Sequence, residues 1–340
     1  LQKHIAAGGA VICLTPNMVQ VAEYLQRDTT RPAYAAASDM HEVYARRRPL
    51  YAESCNYEFL VDKALLGTDG AEHPGSWGLI ERDFVRLVRF ATGRELNRVD
   101  LARPSCFLSL TAPDVREYLP ARLPTLTEGV HAIELRVDLL LRSPEFAGAD
   151  LSTEHDAFAA YVYRQFTLLR HSSRLPVVFT VRTEPQGGAF PAAWAELQAR
   201  LLRSAVRWGA EYVDVEVGEL QIARQNSLLI ASYHDTTGER LQWGRTGFAA
   251  DMLARARAAG DIAKLISVAR SWDDNMACQA FVQQHHSPAT PLIALNMGER
   301  GQMSRVLCPC LTPVTHPLLG AVAAPGQISA RQISQARALC

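Results

Sequence analysis

The sequence predicts an α/β protein in which residues 105–340 close into a (β/α)8 TIM barrel. Three observations predict it. Short apolar runs rich in β-formers recur eight times after about Ser105. Amphipathic helical stretches such as DAFAAYVYRQFTLLR and AAWAELQARLLRSAVRWG separate most of them. The eight runs occupy about 235 residues, close to the usual size of such a barrel. An open doubly wound sheet is the alternative. That fold usually carries a glycine-rich turn after its first strand, and SLTAPD has none.

In order, the expected strands are CFLSLT (106–111), AIELRVD (132–138), VVFTVRT (177–183), YVDVEVG (212–218), LLIASYHD (228–235), IAKLISVA (262–269), PLIALNMG (291–298) and a weaker VTHPLLGAV (314–322). Strands covered on both faces should be almost wholly apolar. Several of these instead hold polar groups near their C-terminal ends: Glu134 and Arg136, Arg182, Asp214 and Glu216, His234, and Lys264. An unpaired polar group buried in this way costs about 2–7 kcal/mol on transfer scales. One such residue is ordinarily a satisfied core group. A set of them at the C-terminal ends marks the face where barrels place their chemistry.

Lys264 stands out because lysine is rare. The chain has three lysines (Lys3, Lys63 and Lys264), and its other 32 basic side chains are arginine. A lysine inside an apolar strand either pairs with a carboxylate or loses its charge and becomes a nucleophile. Asp261, three residues earlier, faces the opposite side of the strand, and no other acid serves it locally. Desolvation beside cations such as Arg136, Arg182 and Arg305 is the usual setting for a Schiff base with a carbonyl compound. His234 ends the preceding strand and is placed to move a proton. Aldol cleavage, dehydration and related reactions share this pair, so the residues alone leave the reaction open.

The bulk numbers exclude other classes. The formal net charge is zero, with 35 basic against 35 acidic side chains. No basic excess is present to neutralise nucleic acid or an anionic membrane. No apolar run reaches the length of a membrane span, and LQKHIAAGG is not a signal peptide. Seven scattered cysteines fit reduced thiols in a cytoplasmic protein. Cys308-Pro-Cys310 with His316 nearby lacks a second matched pair, so loop thiols are expected and no metal. The chain starts without Met and reads as a piece of a longer polypeptide. Residues 1–95 look different from the rest, and LNRVDLARPS suggests a linker over 96–104.

Residues 105–340 resemble type I 3-dehydroquinate dehydratase. The motifs ELRVD, FTVRT followed by Gly187-Gly188, VDVE, SYHD, IAKL, NMGERGQMSR and AAPGQIS occur in the family's order. ARSWDDN and TPVTHPLL are similar to the version within the fungal pentafunctional AROM polypeptide. The resemblance implies dehydration of 3-dehydroquinate to 3-dehydroshikimate in the shikimate pathway, with no cofactor beyond the imine on Lys264. His234 would remove the C2 proton and protonate the departing C1 hydroxyl. Arg305 would hold the substrate carboxylate through its planar fork. Glu134, Arg136, Arg182 and Gln327 would hold the ring hydroxyls and carboxylate, Met297 would pack on the ring, and Ser109 matches a substrate-loop serine. Asp214 would orient the groups that touch substrate. Gln186 stands where bacterial members carry a glutamate beside the histidine, and Ala323 where they carry a serine. A homodimer follows only by analogy with relatives.

Residues 1–95 resemble the C-terminal part of shikimate kinase, through Gly8-Gly9, Arg31 in TRPAY and Arg47 in RRPLY. No G-x-x-x-x-G-K-[ST] occurs in the chain, so a partial kinase-like α/β segment lacking its P-loop is expected. ATP and Mg²⁺ would belong to an intact kinase domain, and phosphorylation of shikimate is not expected here. A reading of a different class is a catalytically inactive quinate-pathway repressor. Retention of both Lys264 and His234 favours the enzyme.

Overall fold

The computed structural model describes residues 1–27, 37–66, 75–119, 121–146, 154–218, 221–245 and 247–339. The chain divides into two compact units. The first is Leu1–Leu96 with Arg207–Gly209, and the second is Asn97–Val206 with Ala210–Cys340.

In the first unit, β1 (Ile12–Pro16) pairs in parallel with β2 (Tyr57–Val61), with Ile12 opposite Tyr57. Helix Ser76–Ala91 packs Ile80, Leu87 and Phe90 against Tyr57 and Phe59. Each such side chain, fully buried, contributes roughly 1.5–3 kcal/mol. Gly8 and Gly9 form the turn into β1, and Gly8 adopts φ +82°, which glycine reaches without strain. Arg47 lies exposed on helix Ala37–Glu53. Arg31 lies outside the described residues.

The second unit is a parallel sheet of eight strands: β3 (Cys106–Leu110), β4 (Ala132–Arg136), β5 (Val177–Thr180), β6 (Tyr212–Glu216), β7 (Leu228–His234), β8 (Ile262–Val268), β9 (Leu292–Met297) and β10 (Thr312–Val314). Neighbours follow chain order from β3 to β9, and β10 returns to pair with β3. Among the described residues no ladder joins β9 to β10, so the barrel is closed except for that seam.

Alternation along the strands makes two faces. Ala231, Ala263, Leu265, Leu292 and Ala294 point outward, against helices Phe248–Ala259 and Asp273–His285. Phe107, Ala132, Val178, Tyr212, Ile230, Ile262 and Ile293 share the inward cluster, all with no exposed surface. They form an apolar floor. One step further along the same strands comes a polar level.

One expectation is corrected here. The eighth strand is Thr312–Val314, ahead of most of VTHPLLGAV. His316 caps a short 3-10 turn over Pro317–Leu319, and Gly320 then takes φ +71°, so this run cannot stay extended. Leu318 and Val322 are left exposed. Within the expected linker, residues from Asn97 to Leu101 bond to the second unit and pack on it. The Val99 N–H donates to the Tyr212 hydroxyl at 2.7 Å, Asn97 and Arg98 bond to the carbonyls of Arg174 and Asn226, and Val99 and Leu101 pack on the floor cluster. Apolar residues at two of these positions explain why the segment docks rather than hangs free.

Candidate active site

The polar level is built by register. Thr180 lies opposite Asp214, Ser232 opposite Lys264, and Ser109 opposite Glu134. These side chains therefore meet inside the barrel, above the floor and below the loops that follow the strands. A cavity opens there. Its walls hold Ser109, Glu134, Arg136, Arg182, His234, Lys264, Met297, Arg305 and Gln327, with Ile266, Leu295, Pro313 and Ala324 as apolar lining. Strands and loops far apart in sequence thus bring together every expected substrate-binding and catalytic residue.

Lys264 is 3% exposed. Its ammonium donates to Asp214 Oδ2 at 2.8 Å and lies 5.5 Å from the centre of the Phe107 ring. The carboxylate that the strand's own sequence does not supply comes from β6. Asp214 also takes Arg182 Nη2 on Oδ1 at 2.7 Å, together with the Ser232 hydroxyl. Burial alone would raise the Asp214 pKa. Arg182 and Lys264, with His234, outweigh it and hold the carboxyl well below the usual range. Arg182 is further tied to Glu216 at 3.3 Å and Ser232 at 2.9 Å.

His234 is half-buried at the end of β7. Burial first, then the cations of Arg182 and Lys264, push its pKa well below the ordinary value, so the free site holds neutral imidazole. Gln186 settles which nitrogen carries the proton. The backbone N–H of His234 donates to the Gln186 side chain at 3.0 Å, so the amide oxygen faces it. That same oxygen lies 3.3 Å from Nδ1, which must then be the donor. Nε2 is left with its lone pair. Asp235 anchors the turn that follows, accepting from the backbone N–H groups of Thr237, Gly238, Arg240 and Leu241.

Arg136 is held by Asp138 through two parallel bonds, 2.8 Å from Nε and 2.7 Å from Nη2. It also donates to the Ala323 carbonyl at 3.3 Å. The Ala323 N–H in turn donates to Gln327 Oε1 at 3.0 Å, and Gln327 Nε2 lies 3.5 Å from Ser109 Oγ. The residues around Gln327 thereby cover the pocket. This segment is also stitched to the end of β9, where the Gly298 N–H donates to the Pro325 carbonyl at 3.1 Å. Gly326 approaches so closely that a Cβ there would fall 2.1 Å from the Gly298 oxygen. Glu134 accepts from Thr180 Oγ1 at 2.7 Å.

Arg305 differs from the other arginines. It is 1% exposed and donates only to the carbonyls of Pro313, at 3.4 Å, and Pro325, at 3.1 Å. Its Nε has no partner, and no carboxylate reaches it among the described residues. Burial pushes its pKa down to about 10. A buried guanidinium left in this condition is a receptor for an anion.

Sequence reasoning missed Asp138, Thr180 and Ser232 as parts of this assembly. Asp138 stands in the quoted ELRVD, and its spacing two residues after Arg136 was the available signal. Cys308 and Cys310, considered for a metal, are buried, with their thiols bonded to the carbonyls of Cys310 and Leu292. His316 Nδ1 accepts from the Leu318 N–H. No helix among the described residues is long and apolar enough to cross a membrane.

The chain is similar in sequence and fold to known proteins. The family model described as type I 3-dehydroquinase matches residues 106–339. The whole chain aligns with the pentafunctional AROM polypeptide of Schizosaccharomyces japonicus, at 35% identity over 349 residues. It spans 21% of that relative's length. The structure of the dehydroquinate dehydratase and shikimate dehydrogenase from S. pombe AroM superposes with a TM-score of 0.62 at 35% identity, covering 74% of this chain and 46% of that one. The 3-dehydroquinate dehydratase from Enterococcus faecalis shares the fold, with a TM-score of 0.51 at 17% identity over 71% of this chain and 96% of its own. With the family model spanning nearly the whole barrel, the chain belongs to the type I 3-dehydroquinase family.

Proposed function

We propose that the barrel dehydrates 3-dehydroquinate to 3-dehydroshikimate through an imine on Lys264, the reaction of the family to which it belongs. One observation carries this reading. The unpaired guanidinium of Arg305 shares a cavity with a strand lysine and a neutral histidine. A substrate that fits all three has a carboxylate, a carbonyl, and a C–H beside that carbonyl.

In this reading Arg305 takes the carboxylate. Lys264 Nζ, having shed a proton, adds to the C3 carbonyl carbon. The carbonyl oxygen gains two protons and leaves as water, giving a protonated imine. His234 Nε2 removes a C2 proton, and the C–H electron pair runs into the imine to form an enamine. The enamine returns the pair, the C1–oxygen bond breaks, and the proton on Nε2 goes to the departing hydroxyl. Water then hydrolyses the imine. Glu134, Arg136, Gln327 and Ser109 hold the ring substituents, and Met297 packs on the ring. Arg182 and Asp214 orient Lys264, and Gln186 orients His234. Arginine could not replace Lys264, because a guanidinium stays protonated.

The test is borohydride reduction in the presence of dehydroquinate, beside an assay for the ultraviolet-absorbing enone. The adduct is expected on Lys264. Lys264→Ala should abolish turnover and His234→Ala nearly so. An untrapped enzyme that makes no enone would overturn the proposal. For residues 1–95 we infer a shikimate kinase-like segment, on Gly8, Gly9, Arg31 and Arg47. A match to one fifth of a multifunctional relative supports a barrel working within a longer cytoplasmic polypeptide.

A further inference from the structure

Ser232 is wholly buried and lies directly opposite Lys264 in the β7–β8 ladder. Its hydroxyl has two close polar neighbours, Arg182 Nη1 at 2.9 Å and Asp214 Oδ1. The guanidinium can only donate, so the serine oxygen accepts from it. The single hydroxyl hydrogen must therefore point at Asp214. Oδ1 of that carboxylate then receives two donors, Ser232 and Arg182 Nη2, while Oδ2 receives Lys264. Neither the register nor the motifs assign Ser232 any part in the reaction.

This matters because an ammonium cannot attack a carbonyl. Lys264 must lose a proton, and the more negative charge Asp214 directs at Oδ2, the more firmly that proton is held. Donors on Oδ1 draw charge away from Oδ2. We propose that Ser232 is a positioning residue for imine formation: it fixes which oxygen of Asp214 faces Lys264 and weakens that oxygen's hold on the lysine's proton. The proposal rests on the reading of Lys264 as the imine-forming residue. The other titratable and charged groups that line the cavity with Lys264 are Arg182 from the β5 end, His234 on β7, Glu134 and Arg136 on β4, and Arg305 beyond β9.

The experiment is the rate of borohydride trapping with dehydroquinate as a function of pH, for the wild-type chain, S232A and S232C. The rate should climb with pH. S232A is expected to move that climb about one pH unit to the alkaline side, a tenfold smaller reactive fraction at a given pH below it. S232C fills similar space with a weaker donor and should shift the same way by less. It also decides the matter if S232A does not fold. A merely structural serine would change the amount of folded protein, read from urea denaturation, and leave the midpoint of the pH profile unmoved. Superimposable profiles for the folded variants and wild type would overturn the role of Ser232. A wild-type chain that cannot be trapped at Lys264 would instead remove the reading beneath it.

Discussion

Arg182 and Arg305 are both buried arginines on the wall of one cavity, yet the barrel treats them oppositely. On the side formed by β4 to β8, the cations are matched. Arg182 meets Asp214 and Glu216, Arg136 meets Asp138, and Lys264 meets Asp214. On the side formed by β9, β10 and the segment around Gln327, Arg305 has only backbone carbonyls, among Met297, Leu295 and Pro313. The matched side is finished before any ligand arrives and serves to hold lysine and histidine in place. In the proposed reaction the substrate's carboxylate finishes the unmatched side. Desolvating a cation without a partner opposes folding, and an anionic substrate relieves that opposition when it binds.

Substitutions can break this contrast. The largest effect should come from Asp214→Asn, which leaves Arg182 and Lys264 buried beside a neutral amide. Removing one partner of a buried pair costs about 3–5 kcal/mol, so the urea midpoint should fall steeply and turnover should be lost. Arg305→Met should act in the opposite direction on stability, leaving the midpoint unchanged or higher, because an unpaired buried charge disappears. Its penalty should fall on binding. A lost hydrogen bond to a charged group is worth about 1.5–3 kcal/mol, which corresponds to a rise in KM of roughly 10- to 150-fold. A destabilised Arg305→Met would show that Arg305 is as well satisfied as Arg182.

Smaller effects sharpen the matched side. The His234 pKa is depressed in the folded chain, so the unfolded chain binds more protons as the pH falls below about 6.5. Its contribution to stability is complete above that value and is lost as pH drops toward the folded pKa. The neutral, base-competent form follows the folded pKa, so the acid limb of kcat/KM should lie well below pH 6.5. Gln186→Glu should give the smallest change. A carboxylate near Nδ1 favours the imidazolium, and the acid limb should move to higher pH while the urea midpoint stays close to wild type. A limb that does not move would separate Gln186 from His234 in solution.

Much of this assembly was legible in the chain because polar residues in buried strands are conspicuous. Lys264 and His234 could be singled out from two short runs, and seven strands stood where alternation placed them. The rest depended on contacts that no local pattern encodes. Asp214 reaches Lys264 across 50 residues, and Ser232 meets Arg182 across the same separation. A serine inside LLIASYHD is unremarkable until register sets it opposite a lysine. β10 has three residues, too few to show a period, and the apolar run just after it drew the strand too far along. Val99 and Leu101 looked like linker because a two-residue apolar contact gives no periodic signal. Unpaired Arg305 was legible only through resemblance, since a lack of partners cannot be read from a linear string.

The apolar floor has a consequence for traffic. Phe107, Ala132, Val178, Tyr212, Ile230, Ile262 and Ile293 stop the barrel like a cork below the polar level. In the proposed reaction one water is expelled as the imine forms, another as the ring dehydrates, and one is consumed in release. None of them can pass through the base of the barrel. Substrate, product and all three waters must use one doorway, whose frame includes the segment from Ala323 to Gln327 stitched to Gly298.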